Sequence, residues 1–263
     1  LIRIFCEPGK DNIILLPPTY GMYEVCAGIN NINIRKVMLS PDFNIVKENI
    51  LEAVDASTKM IFICSPNNPT GNCMKQEDIE FILKNFNGIV VIDEAYIDYA
   101  SMESFAGALA NHPNLVLLQT LSKAWGLAAL RIGMAYASEK IIGLLNKIKF
   151  PYNISLANQQ LALAALHNGA EIMQQVQLTL NERKKLIKGF SRLPFVIKIF
   201  PSDANFILVK VQDPLMLYAY LSERGIIVRD RSNQPLCEGC LRITIGTAEE
   251  NNLLLGFLKD YTT

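Results

Sequence analysis

Short apolar runs, each stopped by a polar, glycine- or proline-containing cluster, constrain this chain more than any other feature. "NIILL" (12–16) stops at "PPTYGMY", "KMIFIC" (59–64) at "SPNNPTG", "GIVVI" (88–92) at "DEAY", and "NLVLLQ" (114–119) at "TLSK". Runs of this length, alternating with helical patterns, predict a mostly parallel central sheet with helices on both faces. "QEDIEFILKNF" (76–86) supplies one such helix, with Ile79, Ile82, Leu83 and Phe86 on a single face. "INIRKVML" (32–39) and "RIGMAYAS" (131–138) read as two further strands. The fold class is therefore α/β.

From about Pro151 the texture changes. Residues 155–190 read as helix in two pieces around Gly169, followed by mixed strands and helices to the end of the chain. This divides the chain into a large unit, 1–152, and a connecting helix with a smaller α+β C-terminal domain, 153–263. The 263 residues suffice for a sizeable core. Lys plus Arg equals Asp plus Glu at 25 each, so net charge gives no general attraction to nucleic acid or to an anionic membrane. No apolar run approaches the ~18–20 residues of a membrane span, and the chain does not open on a signal-peptide pattern. Six scattered cysteines in mostly apolar surroundings suit a reducing compartment, and the expectation is a cytoplasmic protein. The sequence opens at Leu1, and "LIRIFCEPGKD" reads as the tail of a helix already under way, which predicts a preceding N-terminal stretch.

Tyr20, Asn68, Asp93 and Lys123 each fall just past a predicted strand's carboxyl end. In open parallel sheets that edge binds ligands, so the four predict one shared crevice. Asp93 follows four apolar residues, where an unpaired charge is costly, and it calls for a cationic partner such as a protonated heterocyclic nitrogen. Lys123 lies near Thr120 and Ser122, two donors suited to phosphate, with Arg131 eight positions on for a bidentate contact. An amine beside a phosphate cluster and opposite a carboxylate fits pyridoxal phosphate.

Blander readings stand beside these. Lys123 is also what a surface lysine after a strand looks like, and Asp93 alone would serve as a helix cap or metal ligand. Tyr20 and Tyr96 are compatible with plain packing, and Arg229 with a solvated strand-end charge. "CEGC" (237–240) has C-x-x-C spacing, but no second pair or nearby histidine completes a zinc site. His112 and His167 have no evident partner, so no metal is expected, and Asn205 in "SDANF" has no assigned role.

"SPNNPTG", "DEAY" and "TLSKAWGLAALR", in that order, resemble the fold-type I pyridoxal-phosphate aminotransferases. "CEPGKD", "PPTYGMY", "DEAYIDY" and "CLRITIGT" narrow the similarity to the histidinol-phosphate aminotransferases, over essentially the whole chain. The resemblance implies that Lys123 forms the Schiff base and shuttles the proton, and that Asp93 pairs with the pyridine nitrogen. It implies Asn68 and Tyr96 on the phenolic oxygen, Tyr20 stacked on the ring, and Thr120, Ser122 and Arg131 on the cofactor phosphate. Arg242 is implied to hold the glutamate carboxylate, and Arg229 with Arg242 the phosphate of histidinol phosphate.

The implied reaction transfers an amino group between L-histidinol phosphate and 2-oxoglutarate in histidine biosynthesis, by a homodimer with sites at the subunit interface. Relative to the family, a preceding Gly-rich block and a tyrosine that reaches the neighbouring subunit's site are absent from this sequence. Trp125 and Ala129 stand where Phe and Gly are common. Rival readings are a threonine-phosphate decarboxylase or other aminotransferase on the same scaffold, and a non-catalytic remnant without cofactor. A nicotinamide dehydrogenase is poorly supported, since no G-x-G-x-x-G follows the first strand.

Overall fold

The computed structural model describes residues 1–261. The chain starts with a short helix, α1 (Ile2–Phe5), and enters β1 (Asn12–Leu15), α2 (Met22–Ile29) and β2 (Asn33–Lys36). Next come α3 (Lys47–Glu52), β3 (Thr58–Cys64), α4 (Gln76–Asn85), β4 (Ile89–Asp93), β5 (Leu115–Thr120) and β6 (Gly133–Ala137). These strands form one sheet in the order β2-β1-β3-β4-β5-β6, parallel from β2 to β5 with β6 antiparallel at the edge.

Side-chain alternation along a strand explains why both faces must be covered. Ile13, Leu15, Met60, Phe62, Val91 and Val116 point to one face, where Ile2 of α1 and Tyr23 and Ala27 of α2 pack. Ile14, Ile61, Ile63, Val90, Ile92, Leu115 and Leu117 point to the other, against Ile50 of α3 and Ile79 and Ile82 of α4. The expected sheet, parallel strands and flanking helices are all present.

Three helices then connect to a second sheet: α5 (Glu139–Ile148), α6 (Leu156–His167) and α7 (Gly169–Phe190). The break between α6 and α7 falls at Asn168–Gly169, where the sequence places it. The remainder is β7 (Val196–Ile199), β8 (Phe206–Val211), α8 (Pro214–Glu223), β9 (Arg229–Asp230), β10 (Cys240–Thr244) and α9 (Ala248–Asp260). The second sheet runs β7-β8-β10-β9, antiparallel throughout. Its core joins Leu186 and Phe190 of α7 to Ile207, Val209, Leu241 and Ile243 of the sheet, and to Leu254 of α9. A capping box starts α9: the Thr247 hydroxyl accepts from the Glu250 amide and the Glu250 carboxylate from the Thr247 amide.

The sequence pattern does not reveal α3 and α5. It also suggests a strand through "IIVRD", whereas only Arg229–Asp230 pair: β9 is an edge with one partner, β10.

Two ties bring the second sheet against the carboxyl edge of the first. The Asp203 amide donates to the Gly71 carbonyl (2.7 Å), and the Cys73 amide donates to Asp203 Oδ2 (3.0 Å). Gly71 has φ +86°, and a Cβ there would meet Ser202 Oγ at 2.7 Å. Left-handed backbone and close approach together require glycine. Gly71→Ala is expected to lower stability by about 1–3 kcal/mol, read as a lower thermal midpoint. Gly28→Ala, in a helix with open space around it, is expected to leave that midpoint unchanged or slightly raised. Equal midpoints for the two variants would refute the account of Gly71.

Candidate active site

At the ends of β3 and β4 the chain carries pairs of adjacent polar residues, and each pair divides its labour. After β3, Asn67 is fully buried: its side-chain amide donates to the Pro18 carbonyl and to Thr70 Oγ1, both at 2.8 Å, and its Oδ1 accepts from Thr19 (3.0 Å). Its neighbour Asn68 instead lines a cavity of about 470 Å³. After β4, Glu94 is buried and accepts from Ser104 Oγ (2.6 Å), the Phe105 amide (2.8 Å) and Gln119 Nε2 (2.9 Å). Asp93, beside it, lines the same cavity. One side chain of each pair locks the loop, so the other is presented on a fixed backbone.

Asp93 Oδ2 accepts from the Tyr23 hydroxyl (2.6 Å) and Oδ1 from the Ala95 amide (3.0 Å). Burial pushes its carboxyl above the usual range, while those two donors and the Lys123 charge pull the other way. Tyr23 is held far above an ordinary phenol, first by burial and then by neighbouring acids, so it stays a donor. Its ring stacks on Phe62 (centroids 5.1 Å) and meets Tyr20 edge-on (5.5 Å).

At the end of β5, Thr120 Oγ1 lies 3.0 Å from Ser122 Oγ and accepts from the Ser122 amide (3.1 Å). Lys123 is exposed, its Nζ 5.2 Å from the centroid of the Tyr96 ring. Arg131 adopts a left-handed backbone (φ +55°) before β6, a conformation that costs about 1–3 kcal/mol outside glycine. Tyr96 is buried edge-on against Phe206 (5.2 Å), which also lies under the Arg242 guanidinium (4.9 Å). An Arg242 terminal nitrogen donates to Asn68 Oδ1 (2.6 Å), while its Nε is buried with no partner.

All ten residues singled out from the sequence line this one cavity: Tyr20, Asn68, Asp93, Tyr96, Thr120, Ser122, Lys123, Arg131, Arg229 and Arg242. Arg231, Gln119 and Cys64 join them. Sequence reasoning missed Arg231, although it stands two positions from Arg229 and alternation puts both on one strand face. It also missed Tyr23, three positions after Tyr20 in the quoted "PPTYGMY"; nothing in the sequence links that tyrosine to Asp93. The lining carries five cationic side chains, Lys123, Arg131, Arg229, Arg231 and Arg242, against the single carboxylate of Asp93. Such a surface takes anions.

A larger cavity, about 760 Å³, is lined by Glu80, Lys84, Glu103 and His112 among others, so opposite charges mix there. Cys237 and Cys240 are fully buried in the hydrophobic core, and burial pushes their thiols up to about 12 and about 11, so they stay protonated. His167 Nδ1 lies 2.7 Å from the Leu163 carbonyl on its own helix. Among the described residues no group of three His, Cys, Asp or Glu could hold a metal ion, and no helix is long and apolar enough to cross a membrane.

The chain is 54% identical over 261 residues to a histidinol-phosphate aminotransferase of Cytophaga hutchinsonii, a match covering 99% of this chain and 75% of that one. Among solved structures it superposes with a TM-score of 0.91 on the histidinol-phosphate aminotransferase of Clostridium acetobutylicum, at 24% identity, covering 98% of this chain and 78% of that one. The Sinorhizobium meliloti histidinol-phosphate aminotransferase, solved in complex with pyridoxal-5'-phosphate, gives 0.87 at 22% identity, covering 98% and 74% respectively in chains of similar fold. These last two likenesses establish the fold, α/β of fold type I. The profile described as "Aminotransferase class I and II" matches residues 1–258. With that match across nearly its whole length, the chain belongs to the class I and II aminotransferases.

Proposed function

We propose that this chain is a pyridoxal-phosphate-dependent transaminase that exchanges an amino group between L-histidinol phosphate and 2-oxoglutarate, in the cytoplasmic synthesis of histidine. The observation that carries the reading is the cavity's excess of cations, borne by two separate parts of the fold. Arg131, with the Thr120 and Ser122 hydroxyls, belongs to the first sheet; Arg229 and Arg242 belong to the second. Two phosphate groups, one on the cofactor and one on the substrate, match two such clusters. The 54% identity to a curated histidinol-phosphate aminotransferase supports the choice of substrate.

The residues present fit the cofactor. Asp93 offers a half-buried carboxylate that would pair with a protonated ring nitrogen and keep the proton on it. Because an arginine can only donate, Asn68 turns Oδ1 to Arg242, which leaves its amide hydrogens for the phenolic oxygen. Tyr96 hydrogen-bonds the same oxygen and Tyr20 covers the ring face. Thr120, Ser122 and Arg131 take the cofactor phosphate, and the unpartnered Nε of Arg242 takes a substrate oxygen. Bound there, pyridoxal phosphate supplies a reactive aldehyde carbon and a ring that accepts the electrons of the breaking Cα–H bond. Lys123 Nζ would supply the amine that such a carbon takes up with loss of water and, once free again, would carry the proton of the substrate Cα.

Within this proposal residues 1–152 form the cofactor-binding unit and 153–263 the connecting helix and smaller unit. A homodimer is part of it too. Phe150 is 77% and Tyr152 97% exposed, and Leu156, Leu161, Leu163 and Leu166 of α6 are exposed alongside them. Large apolar surfaces of this kind mark protein contacts, and a second copy would cover this one. Six unpaired cysteines support a reducing compartment.

The test is a visible absorption spectrum of the chain with pyridoxal phosphate. A cofactor band that falls on adding L-histidinol phosphate and recovers with 2-oxoglutarate is the expected result. Release of CO2 from O-phosphothreonine without amino transfer would overturn it in favour of a decarboxylase, and no band would leave a non-catalytic chain. Lys123→Ala is expected to lower kcat by more than about 10³-fold with the fold intact by circular dichroism. Asp93→Asn should weaken cofactor binding by about 10–100-fold. Tyr23→Phe removes a donor that favours the Asp93 carboxylate, so the acidic limb of cofactor binding should move to higher pH. A limb that stays in place or moves down would remove Tyr23 from this role.

A further inference from the structure

Arg231 is explained by neither the packing nor the roles assigned so far. It is half-buried, lines the cavity, and among the described residues makes no ion pair and no side-chain hydrogen bond. The carboxylate next to it, Asp230, accepts from the Ser232 amide (2.8 Å). The backbone fixes where Arg231 stands: its amide donates to the Cys240 carbonyl (2.9 Å), one step beyond the pairing of β9 with β10.

That register sets Arg229 directly opposite Arg242 and Arg231 diagonal to Arg242. Like charges placed directly opposite on paired strands destabilise a sheet. Here two such guanidinium groups, with a third two positions on, line one cavity whose single carboxylate, Asp93, is already met by Tyr23 and the Ala95 amide. Arg242 shows the consequence: burial lowers its pKa from the ordinary arginine value, and repulsion from Arg231 and from Arg229 adds to that. A cluster of this kind calls for a counter-anion with more than one negative charge.

The geometry of the anions decides what a third guanidinium adds. A carboxylate offers two oxygens in a plane, which one arginine fork satisfies. A phosphate monoester carries close to two charges and presents three oxygens, so it can engage a further donor. We infer that Arg231 is a specificity-determining contact for the substrate's phosphate, selecting a phosphate-monoester amine over a carboxylate-only amino donor at this site. The inference rests on the transaminase reading above and extends it to a residue outside that reading's role assignments.

The test uses the pyridoxal-phosphate-loaded protein and two variants, Arg231→Gln and Arg231→Lys. For Arg231→Gln, kcat/KM with L-histidinol phosphate should fall about 10–100-fold, mainly through KM. With glutamate as donor the change should stay within about threefold. Arg231→Lys keeps the charge without the fork and should fall between wild type and Arg231→Gln for the phosphate substrate. Equal losses for both donors, or no loss for either, would overturn the inference. Calorimetric titration with L-histidinol phosphate separates the two levels of the argument. Binding by wild type with equal affinity in Arg231→Gln refutes the role of Arg231 alone. No binding by wild type sinks the substrate assignment, and this inference with it.

Discussion

At the end of β4 the chain carries a carboxylate into a place where apolar packing gives way to a cavity, and burial there works against its charge. Tyr23 and the Ala95 amide meet its two oxygens without neutralising it. Tyr23 can do so because its own phenol is buried against Phe62 and kept protonated. The result is an acid that is solvated by the protein yet still short of a cation. The other charged groups that line the cavity, Lys123, Arg131, Arg229, Arg231 and Arg242, have the complementary character. A ligand with a protonated ring at one end and negative oxygens at the other satisfies both at once.

The precision of such a site depends on what holds it. Asn67 and Glu94 are buried and fully engaged, and they fix the turns that carry Asn68 and Asp93. Phe206 does similar work from the second sheet, packing on Tyr96 and under Arg242 together. The Asp203 contacts to Gly71 and Cys73 close the joint between the sheets beside these groups. Positions built on packed strands and bonded turns hold the polar groups that line the cavity in a fixed arrangement.

Much of this site is legible in the amino-acid sequence. Residues just past the ends of parallel strands converge on one crevice by topology alone, which is why Tyr20, Asn68, Asp93 and Lys123 fall together. Arg229 and Arg242 enter through resemblance, and their facing register across β9 and β10 needs the sheet. Tyr23 is unreadable for a different reason: its partner lies 70 positions away, and nothing local distinguishes a tyrosine that bonds a carboxylate from one that merely packs. Helix α5 escapes because its short apolar run follows β6 directly, where a longer strand is an equally good reading. The shortness of β9 is likewise beyond the pattern, since pairing depends on whether a neighbour is present.

The arginine cluster carries a thermodynamic consequence that reaches beyond recognition. Setting Arg229 against Arg242, with Arg231 beside them, lowers the stability of the anion-free fold, as does the left-handed backbone at Arg131. These costs fall on the short β9–β10 pairing and a turn, while the cores of the two sheets are built from buried aliphatic and aromatic side chains. The fold can therefore bear them. Any anion that binds only the folded chain returns stability in proportion to the logarithm of its concentration over its dissociation constant. Strain and repulsion concentrated at one cavity thus make ligand binding and folding parts of a single equilibrium, with the cores supplying the margin that lets the site stay charged.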